Sequence, residues 1–324
     1  MKPAVRFFFI IFAFAFFLST AEPVSASANE KVIAFAQDTL ANDYRKAQVF
    51  EVRDALAQHT VAQHAVTEPA AEHSGLRFTY SNANGQTSLL IRQIKKFIAA
   101  QVDVLIVGTN DPKAVVPAIT TAHQLGIPII ILDRGINSTA YTTFINSDNI
   151  KIGKIGAQYI AEQMKGKGTV LLFEGLQKAD VTQLRNKGFL DVMSQHKEIK
   201  VIRRTGNYLR KDAIIEMEKL IEEGVHIDAI FSESDSMLSG VRSALHRHEL
   251  DPKKILMIGC DYTSEAREAI RQGTQAGSIL FPLGGRQTVQ TALKILKGEK
   301  VAKHISLPIK LVTCKNVNEV PPVF

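Results

Sequence analysis

Short apolar runs of strand length alternate with segments of helical period along nearly all of this 324-residue chain. No other feature narrows the choice of fold so far. Val32 to Ala36, Val104 to Val107, Ile129 to Leu132, Val170 to Phe173, Ala229 to Phe231 and Ile255 to Ile258 are runs of three to five mostly branched residues. Runs that short read as strands buried on both faces. Leu76 to Tyr80 and Lys200 to Arg203 alternate apolar with polar and read as less buried strands. Between them lie helical faces: Leu90, Ile94, Phe97 and Ile98; a helix beginning near Pro112; Ile152, Tyr159 and Ile160; a helix ending near Met193; Ile214, Met217 and Ile221; Val241, Ala244 and Leu245; and Val289, Ala292, Leu293 and Leu296. Strict β–α alternation implies parallel sheets covered by helices on both faces, and two such series imply two doubly wound lobes.

In sheets of this kind a ligand sits outside the carboxyl ends of the strands. Polar residues recur at those ends: Gln37-Asp38, Gly108-Thr109-Asn110, Asp133-Arg134, Ser234-Asp235 and Asp261-Tyr262. Each taken singly reads as well as a helix cap or a turn residue. Asp133 and Arg134, near the end of IPIIILDRGI, read either as a strand-end salt bridge or as the polar fork of a binding site. The repetition favours a site.

The ends of the chain and its composition add bounds. Residues 1–28 read as a secretory signal peptide: Lys2 and Arg6, then the apolar run Phe7 to Leu18, then Ala26-Ser27-Ala28, with cleavage after Ala28. The remainder is long enough for about two domains, and 45% hydrophobic residues supply real cores. The formal charge is +7, but the basic residues are scattered along helices, so a solvated surface is expected rather than nucleic-acid binding. Cys260 and Cys314 are expected as two buried free thiols, with a disulfide as the alternative. Gln58 to Gly75, with His59, His64, Glu68, Glu72 and His73, breaks the rhythm and reads as an exposed mobile loop. Its His and Glu spacing supports no metal site.

The motifs of enzymes are missing. No Gly-x-Gly-x-x-Gly or Walker loop follows the first strand, and there is no Gly-x-Ser-x-Gly elbow. His246 and His248 sit on a helical face among Arg and Glu, which reads as solvated surface. No catalytic residue and no cofactor is expected.

IPIIILDRGI followed by FINSDNIKIGKIGAQYIA, FEGLQKADVTQLRNKGF with Arg185, Gly188 and Phe189, FSESDSMLSGVRSAL with Asp235, Met237 and Gly240, and MIGCDYTSEAREAIRQG together resemble the type I periplasmic binding proteins. The resemblance is to the sugar-binding branch, with ribose- and galactose-type members, of the solute-binding proteins of ABC transporters. It implies two doubly wound parallel-sheet lobes joined by a three-segment hinge, with crossings near Ser147, Pro282 and Leu311. The first lobe would comprise 29–147 plus 282–310, and the second 148–281 plus 311–324. It implies a periplasmic, monomeric clamp that closes on a small polyhydroxylated ligand and hands it to the membrane permease of an importer. The alternative is a sensing subunit docked on a membrane histidine kinase or chemoreceptor, as in the autoinducer-2 receptor. The odd segment Gln58 to Gly75 and the altered site residues motivate that second reading. A repressor core of the same fold is disfavoured by the exported N-terminus and by the lack of a helix-turn-helix ahead of Lys31.

The resemblance carries over Tyr44, Arg45, Asp133 and Arg134 from the first lobe, and Arg185, Tyr208, Ser234, Asp235, Asp261 and Phe281 from the second. Carboxylates accept and arginines donate in a fixed fork, which selects hydroxyl geometry, while aromatic rings stack on sugar faces. Ser234, Cys260 and Phe281 depart from the family pattern, and Tyr44 stands where ribose-type members show two aromatics together.

Overall fold

A computed structural model describes residues 30–66 and 75–324. The signal peptide read in residues 1–28, with its cut after Ala28, lies outside them. The chain begins β1 (Lys31–Gln37), α1 (Asp43–Val66), β2 (Leu76–Asn82), α2 (Thr87–Ala99), β3 (Val104–Gly108), α3 (Val116–Gln124), β4 (Ile129–Leu132) and β5 (Thr143–Ser147). It continues α4 (Asn149–Gln163), β6 (Lys167–Glu174), α5 (Asp180–Met193), β7 (Glu198–Thr205), α6 (Arg210–Glu222), β8 (Ala229–Ser232), α7 (Asp235–Arg247), β9 (Leu256–Asp261), α8 (Ser264–Arg271) and β10 (Gly277–Leu280). It ends α9 (Gly285–Leu296), β11 (His304–Leu307) and β12 (Lys310–Thr313).

Two six-stranded sheets result, in the orders β11-β5-β4-β3-β1-β2 and β12-β10-β9-β8-β6-β7. The chain is therefore two α/β lobes. The first sheet is parallel throughout. The second is parallel except at its edge, where β12 runs antiparallel to β10. Strict alternation does not foresee that. No helix lies between β11 and β12; the chain passes from one sheet edge to the other through two residues, without the crossover that a parallel strand needs.

Alternation along β1 explains how one strand builds two cores. Ile33 and Phe35 face Val49 and Val52 of α1 and Val289 and Ala292 of α9. Ala34 and Ala36 face Leu90 and Ile94 of α2. Every residue of β3 and β4 is buried, as expected of strands covered on both sides.

Three local expectations fail. Gln58–Val66 is not loop but the last part of α1; residues 67–74 of that segment lie outside the described residues. The helix near Pro112 begins at Val116, because Asp111 accepts the N–H groups of Lys113 and Ala114 and holds a turn there instead. Both thiols are free, but only Cys260 is buried; Cys314 follows the edge strand β12 and is exposed. Among the described residues no helix is long and apolar enough to cross a membrane.

One close approach between helices fixes a side chain of the cleft. A Cβ at Gly153 of α4 would lie 2.0 Å from the Arg185 carbonyl oxygen, and a Cβ at Gly188 of α5 would lie 2.0 Å from the Ile150 carbonyl oxygen. The two helices pack backbone to backbone, and that contact positions Arg185. Gly188→Ala must push them apart, so we expect it to cost at least about 1–3 kcal/mol of stability, read from urea unfolding. An unchanged midpoint would show that the helices separate freely.

Candidate functional site

At the end of β4 the chain makes a tight turn. The Arg134 N–H donates to the Leu132 carbonyl at 2.9 Å across Asp133, whose φ is 69°. A γ-turn of that hand is strained, and strain of this kind gathers at sites of function. Asp133 and Arg134 do not pair with each other. Arg134 Nη1 lies 3.1 Å from Asp38 Oδ2, and Arg45 Nη1 lies 3.0 Å from Asp133 Oδ2. Arg45 Nε is 3.5 Å from Asp38 Oδ1. The result is an alternating row, Arg134–Asp38–Arg45–Asp133, in which each residue is at most 5% exposed. Both readings of the Asp-Arg pair thus hold in part: ion pairs exist, but with third parties. Asp133 Oδ1 and Arg134 Nε are buried with no hydrogen-bond partner in the protein.

Burial opposes the charge on both guanidiniums. For Arg45 the neighbouring Asp38 and Asp133 outweigh burial and raise its pKa. For Arg134 burial, reinforced by Arg45, wins and lowers it. Gln48 completes this side by accepting from Arg45 Nη1 at 3.1 Å and donating to the Leu283 carbonyl at 2.8 Å.

The second lobe answers with Arg185, whose Nε donates to Asn149 Oδ1 at 2.9 Å and whose Nη1 donates to the Glu233 carbonyl at 2.7 Å. Its guanidinium lies 4.7 Å from the Phe281 ring centroid. Phe281 in turn stacks on Tyr44 of α1, centroids 5.1 Å apart, and the Tyr44 hydroxyl donates to the Pro282 carbonyl at 2.7 Å. Tyr208, with a left-handed φ of 61°, sits under Arg134 at 5.3 Å. Its hydroxyl donates to Glu233 Oε2 at 2.8 Å and lies 2.7 Å from Thr182 Oγ1. Asp261 has a φ of 108°, and burial, then the neighbouring Asp235, pushes its pKa well above the usual carboxylate range.

These groups line a small cavity in the cleft. Of the residues named from the sequence, Tyr44, Asp133, Arg134, Arg185, Tyr208, Ser234, Asp261 and Phe281 line it. Arg45 and Asp235 do not. Arg45 stands behind Asp133 in the ion row. Asp235 accepts from Tyr262 N–H at 2.7 Å, Ser278 Oγ at 2.6 Å and Gln275 Nε2 at 2.8 Å, so it fixes the turn that carries Asp261. Burial raises its pKa to about 6 against those three donors. A Cβ at residue 259 would meet Asp235 Oδ1 at 1.9 Å, which is why glycine precedes Cys260. The lining also includes Asn42 and Val181, which the motifs do not single out. Asn42 carries a signal of its own, as a capping residue just before a helix. Asp38 and Glu233 stand behind the lining at strand ends.

Among known proteins, the profile of the periplasmic binding protein domain matches residues 33–300. The ribose import binding protein RbsB of Bacillus subtilis is 30% identical over 251 residues, 76% of this chain and 81% of its own length. That of Haemophilus influenzae is 29% identical over 304 residues, 92% of this chain and 97% of its own. The solved fructose-binding periplasmic domain of a hybrid two-component system superposes with a TM-score of 0.79 at 24% identity, covering 89% of this chain and 92% of that one.

Two predictions come from the charges. Arg45→Ala leaves Asp133 without its ion partner in the interior, with Asp38 still held by Arg134, and should cost roughly 3–5 kcal/mol of stability by denaturant unfolding. A loss below about 1 kcal/mol would show the row to be solvated instead. Burial raises the Glu233 pKa from 4.5 to about 7. A carboxyl whose folded pKa is raised favours the folded state at low pH, so stability falls as pH climbs from about 4.5 to about 7 and then levels off. Glu233→Gln should remove up to about 3 kcal/mol of the stability difference between pH 5 and pH 8. Identical wild-type and variant profiles would contradict this.

Proposed function

The chain belongs to the periplasmic binding protein domain family, and we propose that it clamps one small polyhydroxylated molecule, a single sugar ring or a close analogue, between its lobes. It is a binding protein and not an enzyme. In the proposed setting it works as a monomer in the periplasm and delivers its ligand to the permease of an ABC importer. The carrying observation is the pair of buried unpartnered atoms at the cavity wall, Asp133 Oδ1 and Arg134 Nε. One accepts and the other donates, and a hydroxyl both donates and accepts. Left without a ligand, each costs about 1–3 kcal/mol, so the closed cavity favours a molecule that satisfies both.

The lining agrees. Tyr44, Phe281 and Tyr208 offer apolar faces to ring carbons, and Arg185 and Asp261 add a donor and an acceptor from the other lobe. The sensing alternative loses part of its support, since Gln58–Val66 is helix.

Isothermal calorimetry of ligand-stripped protein against pentoses, hexoses, furanose sugars and polyols tests the reading. One member of the panel should bind. Asp133→Asn should weaken that ligand roughly ten- to a hundred-fold, by loss of a charged hydrogen bond of about 1.5–3 kcal/mol. No heat from any panel member would overturn the ligand class.

A further inference from the structure

Some hydrogen bonds in the cleft run directly from lobe to lobe. Asn42 makes two bonds with its one amide. Its Oδ1 accepts the Arg45 N–H at 3.0 Å, which caps α1 at the third helical residue. Its Nδ2 donates to the Tyr208 carbonyl of the second lobe at 2.7 Å. Asn42 is 6% exposed and lines the cavity. On the other side of the fork, Asp180 at the start of α5 accepts the Gly135 N–H at 2.8 Å. Gly135 directly follows Asp133 and Arg134, and a Cβ there would lie 2.9 Å from Asp180 Oδ2. The glycine is what allows the carboxylate so near. A third pair, Ser236 Oγ to Asp43 Oδ2 at 2.7 Å, lies at the half-exposed rim, where a bond adds little.

We propose that Asn42 and Asp180 form a ligand-independent latch: they bond the lobes to each other directly, so the empty protein samples the closed form and ligand release is set partly by these two positioning residues. Neither bond needs an atom of the ligand. Each joins the second lobe to a part of the first that the ligand also uses, the start of α1 or the turn bearing Asp133 and Arg134. Closing the latch therefore brings both halves of the site to their binding positions before any hydroxyl arrives. A hydrogen bond of this kind shifts the open–closed ratio by about two- to ten-fold.

The latch rests on the two-lobed clamp of the proposed function but not on its ligand, so its test uses empty protein. Nitroxide labels on the native exposed Cys314 in the second lobe and on Lys95→Cys in α2 of the first report lobe separation by double electron–electron resonance; Cys260 is buried. Ligand-stripped wild type should show a short-distance population beside the long one. Asn42→Asp keeps the helix cap but cannot donate, and Asp180→Ala removes the acceptor. Each should cut the closed population about two- to ten-fold. Asp180→Asn keeps an acceptor and should restore it, which a merely structural role would not require. A wild type with the long distance alone, or variants with the wild-type closed fraction, would overturn the latch while leaving the calorimetric test of the ligand class intact.

Discussion

The row Arg134–Asp38–Arg45–Asp133 is the interaction on which the rest of the site depends. Its members come from three places in the first lobe: the end of β1, the start of α1 and the turn after β4. Taking four charges out of water is unfavourable unless each meets its opposite. The alternating order meets that condition for the protein, and of the four row atoms without a hydrogen-bond partner, Asp38 Oδ1, Arg45 Nε, Asp133 Oδ1 and Arg134 Nε, the last two belong to residues that line the cavity. The same arrangement that makes the interior tolerable for charge thus produces the fork that a hydroxyl can satisfy.

α1 transmits this constraint to the crossover between lobes. Its first turns present Tyr44, Arg45 and Gln48, all buried. Arg45 belongs to the ion row, while Tyr44 and Gln48 bond the carbonyls of Pro282 and Leu283, just past β10. Ion row, aromatic wall and crossover segment are therefore held by one short stretch of helix. The second lobe uses fewer charges. Arg185 is held by a side-chain amide and a backbone carbonyl, with its cation against Phe281, so it lines the cavity without a carboxylate bonded to it. Burial pushes the pKa of both Glu233 and Asp261 upward.

Much of this is legible in the sequence because it follows from short-range pattern. IPIIILDRGI yields β4 at Ile129–Leu132 and places Asp133 and Arg134 at its carboxyl end without any knowledge of the rest. Eight of the ten residues carried over by motif line the cavity. What fails is what depends on distant partners. Arg45 and Asp235 match the family's site motifs as well as their neighbours do, yet each spends its bonds behind the lining, on Asp133 and on the Asp261 turn. Only the three-dimensional placement of Gln275, Ser278 and Asp38 reveals that. Asn42 escapes a motif reading because a cap residue has a sufficient local explanation, and its second bond lies 166 positions away. The short strands β10, β11 and β12 lack a long apolar run, since they lie at or next to sheet edges, where one face is solvated or the chain is turning back.

The central claim is that the closed cavity is completed by one small neutral polyhydroxylated molecule. Mass spectrometry of what freshly purified protein releases on denaturation tests it most directly. The expected result is a single species with the mass of one sugar ring or polyol, bound one to one and lost from Asp133→Asn. Release of a charged metabolite, a peptide or an oligosaccharide in that stoichiometry would contradict it.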